Sequence, residues 1–249
     1  MTDGGRQAGR PLDCRPARDS LGRTIRYWLT VLVVRVLVRS YLRLRVEGLE
    51  RLPAGPAVLS FSHQNWADPF ILIATLPLRP RLFFFGPKEE DMRRGLRNRL
   101  ISWSGTAVPY RPGKDDLLGA TRRVAAVLAF DGRLAIAGEG RIHAGERVLL
   151  PLNEGCAYFA LRSGVPLVPV AINGTGWLAF GRTVRVRIGQ PIWPEGRPTR
   201  ERIAALTGGL AQALGALVAD FPDRPPPGPL GRWLTELFNE WPEGVRPDR

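Results

Sequence analysis

The chain is poor in the residues that small secreted scaffolds and common metal sites require. Its 249 residues include only two cysteines, two histidines and two lysines. Cys14 and Cys156 are too few for a disulfide framework or a four-cysteine zinc site, so a reducing compartment is the simplest expectation. Residues 1–20 contain neither the apolar stretch nor the small-residue cleavage site of a secretory signal, and we expect no such signal.

Several motifs of known enzyme classes are missing as well. There is no G-x-S-x-G turn, and Cys156 falls within a predicted helix, where a buried structural thiol is expected rather than a nucleophile. There is no P-loop and no complete G-x-G-x-x-G, so nucleotide binding has no local support. Carboxylates are not clustered as they are in metal sites. We therefore expect no metal and no bound cofactor.

Positive charge is what the chain has in excess. Lysine and arginine together number 36 against 23 acidic residues, which gives a formal net charge of +13. Such a balance suits nucleic acid, an anionic membrane surface or a phosphate-bearing substrate. The hydrophobic fraction of 44% nevertheless fits a folded protein.

The N-terminal region divides into a tail and a helix. Residues 1–20 are predicted to form a disordered basic tail, whereas residues 21–41 are apolar apart from a few arginines. The apolar stretch 27–38 would extend about 18 Å as a helix, which is too short for a hydrocarbon core of about 30 Å. Arg35 and Arg39 share one side of it. We predict an amphipathic helix in a membrane interface; the alternative is a helix packed on the protein's own core, with its arginines facing water.

From residue 42 onward, strand-like and helix-like segments alternate. The predicted strands are 42–48, 57–62, 81–86, 106–111, 133–138, 166–172 and an additional edge strand within 183–192. The predicted helices are 69–77, 90–103, 114–130, 153–164 and 199–220. This alternation indicates an α/β domain over residues 42–222, with a mostly parallel central sheet flanked by helices. Residues 223–249 are predicted to be a Pro-rich linker and a short amphipathic helix, which either docks on the domain or enters lipid.

The first candidate site follows a predicted core strand. His63 ends the run "AVLSFS", and Asp68-Pro69 follows with the pattern of a helix N-cap and first helical position. If the helix begins there, the loop between them can fold the imidazole onto the carboxylate. Asp68 would then fix the tautomer of the ring and leave its other nitrogen as a general base. The alternative is a simple helix cap beside an ordinary buried histidine.

Two further candidates also follow strands. Arg111 ends "GTAVPYR", where a guanidinium could bind a phosphate; otherwise it is a surface arginine paired with a neighbouring aspartate. Glu139-Gly140-Arg141 ends "LAIAGEGR", where the glycine lets the backbone turn sharply beside a ligand; otherwise it is a surface turn. His143 is expected to be a loop residue without a binding role.

In this order, these blocks resemble the glycerolipid acyltransferases, most closely the 1-acylglycerol-3-phosphate acyltransferases. The four matching blocks are His63–Asp68, Gly105–Arg111, Glu139–Arg141 and Val165–Ile172. The resemblance implies that His63 and Asp68 are catalytic, and that Arg111, Glu139, Gly140 and Arg141 bind the substrate. It also implies that His63 removes the proton of a glycerol hydroxyl, which then attacks an acyl thioester.

The resemblance extends to partners and location. It implies acyl-CoA or acyl-carrier protein as co-substrate, membrane lipid as partner, no nucleic acid, and a peripheral or monotopic position on the cytoplasmic face of the cell membrane. Ser62 stands where the family usually has asparagine, and Ile142 where it has arginine. Another lyso-lipid acceptor therefore stays open, as does a non-catalytic basic protein that binds lipid or nucleic acid.

Overall fold

The computed structural model describes residues 21–88, 103–110, 117–143, 145–223, 225–237 and 239. Six helices lie within these ranges: α1 Leu21–Tyr41, α2 Asp68–Thr75, α3 Leu117–Ala129, α4 Gly155–Ser163, α5 Arg200–Val218 and α6 Pro229–Glu236. Seven strands lie there too: β1 Arg43–Glu47, β2 Ala57–Phe61, β3 Leu82–Lys88, β4 Ala107–Tyr110, β5 Arg133–Ala137, β6 Leu167–Asn173 and β7 Thr183–Ile188. A 3-10 turn at Leu49–Arg51 follows β1.

The strands form a single mixed sheet in the order β1-β7-β6-β2-β5-β3-β4. The five strands from β6 to β4 are parallel to one another, which confirms the predicted α/β class with a mostly parallel sheet. The pair β1 and β7 runs in the opposite direction, because β7 is antiparallel to β6. Segment 183–192 was predicted as an edge strand, and this is wrong: β7 lies inside the sheet and β1 forms the edge. Strand alternation predicts a strand but not its neighbours, since pairing is decided by tertiary contacts.

Helices cover both faces of the sheet because its central strands are apolar on both sides. The α1 and α2 layer packs on residues of β2 such as Leu59 and Phe61. The α3, α4 and α5 layer packs on the opposite face, which includes Val58 of the same strand. Both faces of β2 are buried along its whole length, so the strand lies at the centre of the molecule.

The arginines of α1 do not face water as the core-packed alternative required. Arg35 turns inward, where its guanidinium donates hydrogen bonds to the carbonyl oxygens of Ile73 and Leu76. Arg39 donates to the carbonyl oxygen of Ala74 at 2.9 and 3.2 Å. These carbonyls end α2, so the two side chains satisfy acceptors that a helix C-terminus leaves open.

Several predicted segments lie outside the described residues. They are the tail at 1–20, most of the predicted helix 90–103, residues 111–116 with Arg111, and residues 240–249. Among the helices that are described, α1 included, none combines the length and the apolar character needed to cross a membrane.

Candidate active site

The register of two central strands brings the first and third sequence blocks together. Phe61 of β2 lies beside Ala137 of β5 in a parallel pair. Two residues farther along each strand, the chain therefore places His63 next to Glu139, at the carboxyl edge where parallel sheets bind ligands. The backbone N–H of His63 donates to Oε2 of Glu139 at 3.0 Å.

His63 and Asp68 are in direct contact. Nδ1 of His63 lies 2.9 Å from Oδ2 of Asp68. The same oxygen accepts the backbone N–H groups of Gln64 at 2.7 Å and Asn65 at 2.8 Å. Since a carboxylate oxygen only accepts, Nδ1 carries the proton and Nε2 is the basic nitrogen. The His63 side chain is 18% exposed whereas that of Asp68 is fully buried, so only the imidazole is open to a ligand.

Helix α2 begins one residue earlier than predicted. Ala67 is its N-cap, Asp68 is its first residue, and Pro69 occupies the next position. Asp68 was predicted to cap the helix, but its side chain instead bonds the backbone of the loop before it. The helix N-terminus still favours a negative charge at this position.

The side chain of Glu139 is buried, and its carboxylate accepts backbone N–H groups. Besides the His63 N–H, it accepts the backbone N–H of Leu150 at Oε1, at 3.0 Å. His143, predicted to be an ordinary loop residue, is only 2% exposed, and its Nε2 lies 3.1 Å from Oε1 of Glu139. The backbone N–H of His143 also donates to the carbonyl oxygen of His63 at 3.2 Å. Both backbone polar groups of His63 are therefore bonded to the segment that follows β5, the N–H to Glu139 and the carbonyl oxygen to His143.

The remaining predicted binding residues lie at or beyond this turn. Gly140 has a φ of 69°, and a Cβ there would lie 2.4 Å from Nδ2 of Asn153, so the turn requires glycine. Arg141 is exposed beside it. Arg111 follows β4 in the sequence and lies outside the described residues.

A buried polar layer lies behind the His63 loop and was missed by sequence reasoning. Gln64 donates from Nε2 to the carbonyl oxygen of Gly145 at 2.9 Å. Oε2 of Glu146 accepts from Nδ2 of Asn173 at 2.8 Å and from the N–H of Gly174 at 2.9 Å. Burial raises the pKa of Glu146, and the charge of nearby Asp68 raises it further. Polar residues directly after strand β2 were the available signal for Gln64; Glu146 gave none, because its loop has no periodicity.

The fourth block joins the first through a serine. The hydroxyl of Ser62 accepts the backbone N–H of Ile172 at 2.9 Å, and the N–H of Ser62 donates to the carbonyl oxygen of Val170 at 3.1 Å. Cys156 is buried in α4, and burial raises the pKa of its thiol to about 11, so it lacks the thiolate that a nucleophile needs.

An apolar cavity of about 530 Å³ adjoins the His63–Asp68 loop. Trp66 and Ala67 of the loop form part of its wall. The other walls come from α1, α2, the segment 103–106, Leu178 and Leu234. Cavities of this size and apolar character accommodate small organic ligands.

Known proteins resemble this chain in sequence and in fold. A family model described as acyltransferase matches residues 43–173. A 1-acyl-sn-glycerol-3-phosphate acyltransferase of Pseudomonas aeruginosa is 24% identical, over 74% of this chain and 73% of the relative. The crystal structure of the 1-acyl-sn-glycerophosphate (LPA) acyltransferase of Thermotoga maritima matches with a TM-score of 0.57 and 17% identity, covering 81% of this chain and 97% of that one. At that identity, the structural match shows a shared fold.

Proposed function

Because the chain belongs to the acyltransferase family, we propose that it transfers a fatty acyl group from a thioester donor to the hydroxyl of a lysophospholipid. The favoured acceptor is 1-acylglycerol-3-phosphate, which would give phosphatidic acid; the named activity of the Pseudomonas relative supports this choice. The donor would be acyl-CoA or acyl-carrier protein. No further cofactor is required by this chemistry.

The contact between His63 and Asp68 carries the proposal. With Nδ1 bound to a buried carboxylate 2.9 Å away, Nε2 is the nitrogen available to take a proton from the acceptor hydroxyl. The hydroxyl oxygen then bonds to the thioester carbonyl carbon, and the carbon–sulfur bond breaks. The leaving thiolate takes the proton from His63, which restores the neutral ring. Asp68 supports the imidazolium between these two steps.

The phosphate of the acceptor would be bound on the same side of the sheet. Arg141 is exposed at the end of the β5 turn, and Arg111 follows the carboxyl end of β4. Arginine suits this role because its planar guanidinium can donate two parallel hydrogen bonds to a phosphate. Glu139 and Gly140 would contribute by shaping the turn, since the Glu139 carboxylate is occupied by backbone N–H groups.

Membrane association completes the proposal. The outward side of α1 presents an apolar surface that includes Ile25, Leu32 and Val36, each more than half exposed. The 530 Å³ cavity also reaches this helix through partly exposed Leu29 and Val33, so an acyl chain could pass between lipid and active site. We propose a peripheral or monotopic enzyme on the cytoplasmic face of the cell membrane.

An acyl-transfer assay of the His63→Ala variant tests the catalytic assignment. Purified protein would be given labelled acyl-CoA and a panel of lysophospholipid acceptors. Loss of the general base should lower kcat by about 10²–10⁴-fold. The thermal melting curve should remain that of a folded protein, which separates a lost base from a lost fold. Retained activity in the folded variant would remove His63 from the mechanism.

The Arg111→Ala variant tests the acceptor side. The KM for the lysophospholipid should rise more than the KM for acyl-CoA, because the lost contact is to the acceptor phosphate. Arg162→Ala, which removes an exposed arginine on α4, is the matched control and should change neither constant. A larger effect on the acyl-CoA constant would assign Arg111 to the donor.

A further inference from the structure

A C-terminal segment that comprises α6 and Asn239 is hydrogen-bonded to the loop that carries the proposed catalytic pair. The backbone N–H of Trp66, midway between His63 and Asp68, donates to Oδ1 of Asn239 at 2.9 Å. The indole Nε1–H of the same tryptophan donates to the carbonyl oxygen of Leu234 at 3.2 Å. Both nitrogen donors of Trp66 are thus engaged by a segment about 170 positions away in sequence.

The helix α6 within this segment is anchored independently of Trp66. The hydroxyl of Thr235, fully buried, accepts the backbone N–H of Leu178 at 2.7 Å. Gly231 faces the same residue, where an added Cβ would lie 2.5 Å from the Leu178 carbonyl oxygen. The helix can approach this closely because glycine has no side chain there. α6 is therefore packed directly against the domain.

Leu234 is the residue through which α6 reaches the apolar cavity. It lines the cavity together with Trp66 and Ala67 of the catalytic loop, and with Leu178, the anchor of α6. Leu230, one turn earlier on the same helix, is 72% exposed and does not line it. The cavity wall is almost wholly apolar. Trp66, which forms part of it, lies three residues after His63, the proposed general base. Among the substrates of acyl transfer, the hydrocarbon chain fits such a wall.

We propose that α6 forms one wall of the acyl-chain site, and that its Leu234 is a specificity-determining residue for acyl-chain length. This inference rests on the proposed acyl transfer. Leu234 limits the space beside Trp66, so its size sets how much hydrocarbon the cavity accepts. The carbonyl of the same residue holds the Trp66 ring in place, which links the width of the wall to the loop between His63 and Asp68.

Matched substitutions on α6 of the full chain test this proposal. Leu234→Trp should narrow the cavity, and the kcat/KM ratio of 16-carbon to 12-carbon acyl-CoA should fall roughly tenfold or more, since each excluded methylene costs about fourfold. Leu234→Ala should move the ratio towards longer chains. Leu230→Trp adds the same ring on the exposed side and should leave the ratio unchanged.

A binding measurement separates this proposal from the proposed function. Dissociation constants for non-transferable alkyl-thioether CoA analogues of several chain lengths need no turnover. Absence of transfer to every acceptor by the wild-type protein would overturn acyl transfer, whereas a chain-length shift on Leu234→Trp binding alone would still support the wall. The proposed role of Leu234 would be overturned if Leu234→Trp and Leu230→Trp showed the same dependence of the dissociation constant on chain length. It would also be overturned if the wild-type protein bound no analogue. If the tryptophan variant does not fold, an unchanged profile for folded Leu234→Ala has the same meaning.

Discussion

At the scale of single residues, the backbone of the His63–Asp68 loop is fixed by hydrogen bonds as its side chains are. The backbone N–H of His63 donates to Glu139, and the carbonyl oxygen of His63 accepts the N–H of His143. Asp68 accepts the N–H groups of the next two residues. These bonds hold the imidazole in one position, which would favour the proposed proton transfer because its distance to the acceptor hydroxyl would vary little.

Glu146 gives this polar layer a dependence on pH. It is buried among Gln64, Asn173 and Gly174, near the carboxylate of Asp68. Its pKa in the folded protein is raised, first by burial and then by the negative charge of Asp68. A carboxyl whose pKa is raised on folding stabilises the protein fully below its unfolded pKa of about 4.3. That contribution is lost as the pH rises through the folded pKa.

The substitution Glu146→Gln should therefore flatten this pH dependence. As the pH rises above about 4.3, the free energy of unfolding of the wild type should fall relative to the variant by up to about 1.4 kcal/mol per pH unit. Urea denaturation at a series of pH values measures the difference. Glu195→Gln, at an exposed position, is the control and should show no such trend. Parallel curves for wild type and Glu146→Gln would contradict the raised pKa.

At the scale of elements, α1 and α2 are joined by charge as well as by apolar packing. Tyr27 and Val31 are buried in the core against the sheet. Arg35 and Arg39 extend from the same helix to the carbonyl oxygens at the end of α2. Cations are favoured there by the helix dipole. The arginines that interrupt an apolar helix thereby orient the helix on which Asp68 is placed.

Replacing Arg35 with methionine should weaken the contact between α1 and α2 while keeping the apolar part of the side chain. We expect a loss of about 1–2 kcal/mol in the free energy of unfolding, because carbonyl oxygens of Ile73 and Leu76 lose a charged donor. Arg26→Met on the same helix is the matched control: its guanidinium bonds only the local Gly22 carbonyl among the contacts described, so it should cost far less. Equal losses in chemical denaturation would show that the Arg35 contacts are not a specific link.

At the scale of the whole molecule, an apolar surface and an excess of positive charge both favour binding to an anionic membrane. The outward side of α1 is apolar, and residues 1–51 carry eleven arginines against five acids. Basic residues attract anionic headgroups while apolar side chains enter the acyl boundary. The deletion of residues 1–41 would be a poor test, because it removes Tyr27 and Val31 from the core.

Point substitutions on the exposed side of α1 test membrane binding without touching the cavity wall. In flotation with anionic vesicles, Leu32→Glu and Val36→Glu should each weaken binding roughly tenfold or more, since each replaces an exposed apolar side chain that would enter the bilayer with a charged one. Leu118→Glu, an exposed position on the opposite helical layer, should bind as the wild type does. If the α1 variants float with the vesicles to the same extent as the wild type, this side of α1 is not the membrane contact.

Local patterns predict the elements and the first half of the site, but not how distant segments meet. Period-two alternation and strand-end residues give the parallel sheet and bring His63 and Asp68 together, because both features are local. The position of β7, the inward turn of Arg35 and the burial of His143 depend on partners far along the chain. Trp66 stands in the predicted motif, yet its hydrogen bonds to Asn239 and Leu234 follow only from the folded arrangement.

The placement of β1 has a consequence for synthesis on the ribosome. In the described sheet, this edge strand is bonded to β7 alone, with Arg43 beside Thr183. At 5–20 residues per second, translation of the intervening chain takes roughly 7–28 s. During that interval the nascent chain carries an apolar α1 whose following strand has not yet found its sheet partner. The proposed contact of α1 with a membrane could therefore begin before the sheet is complete.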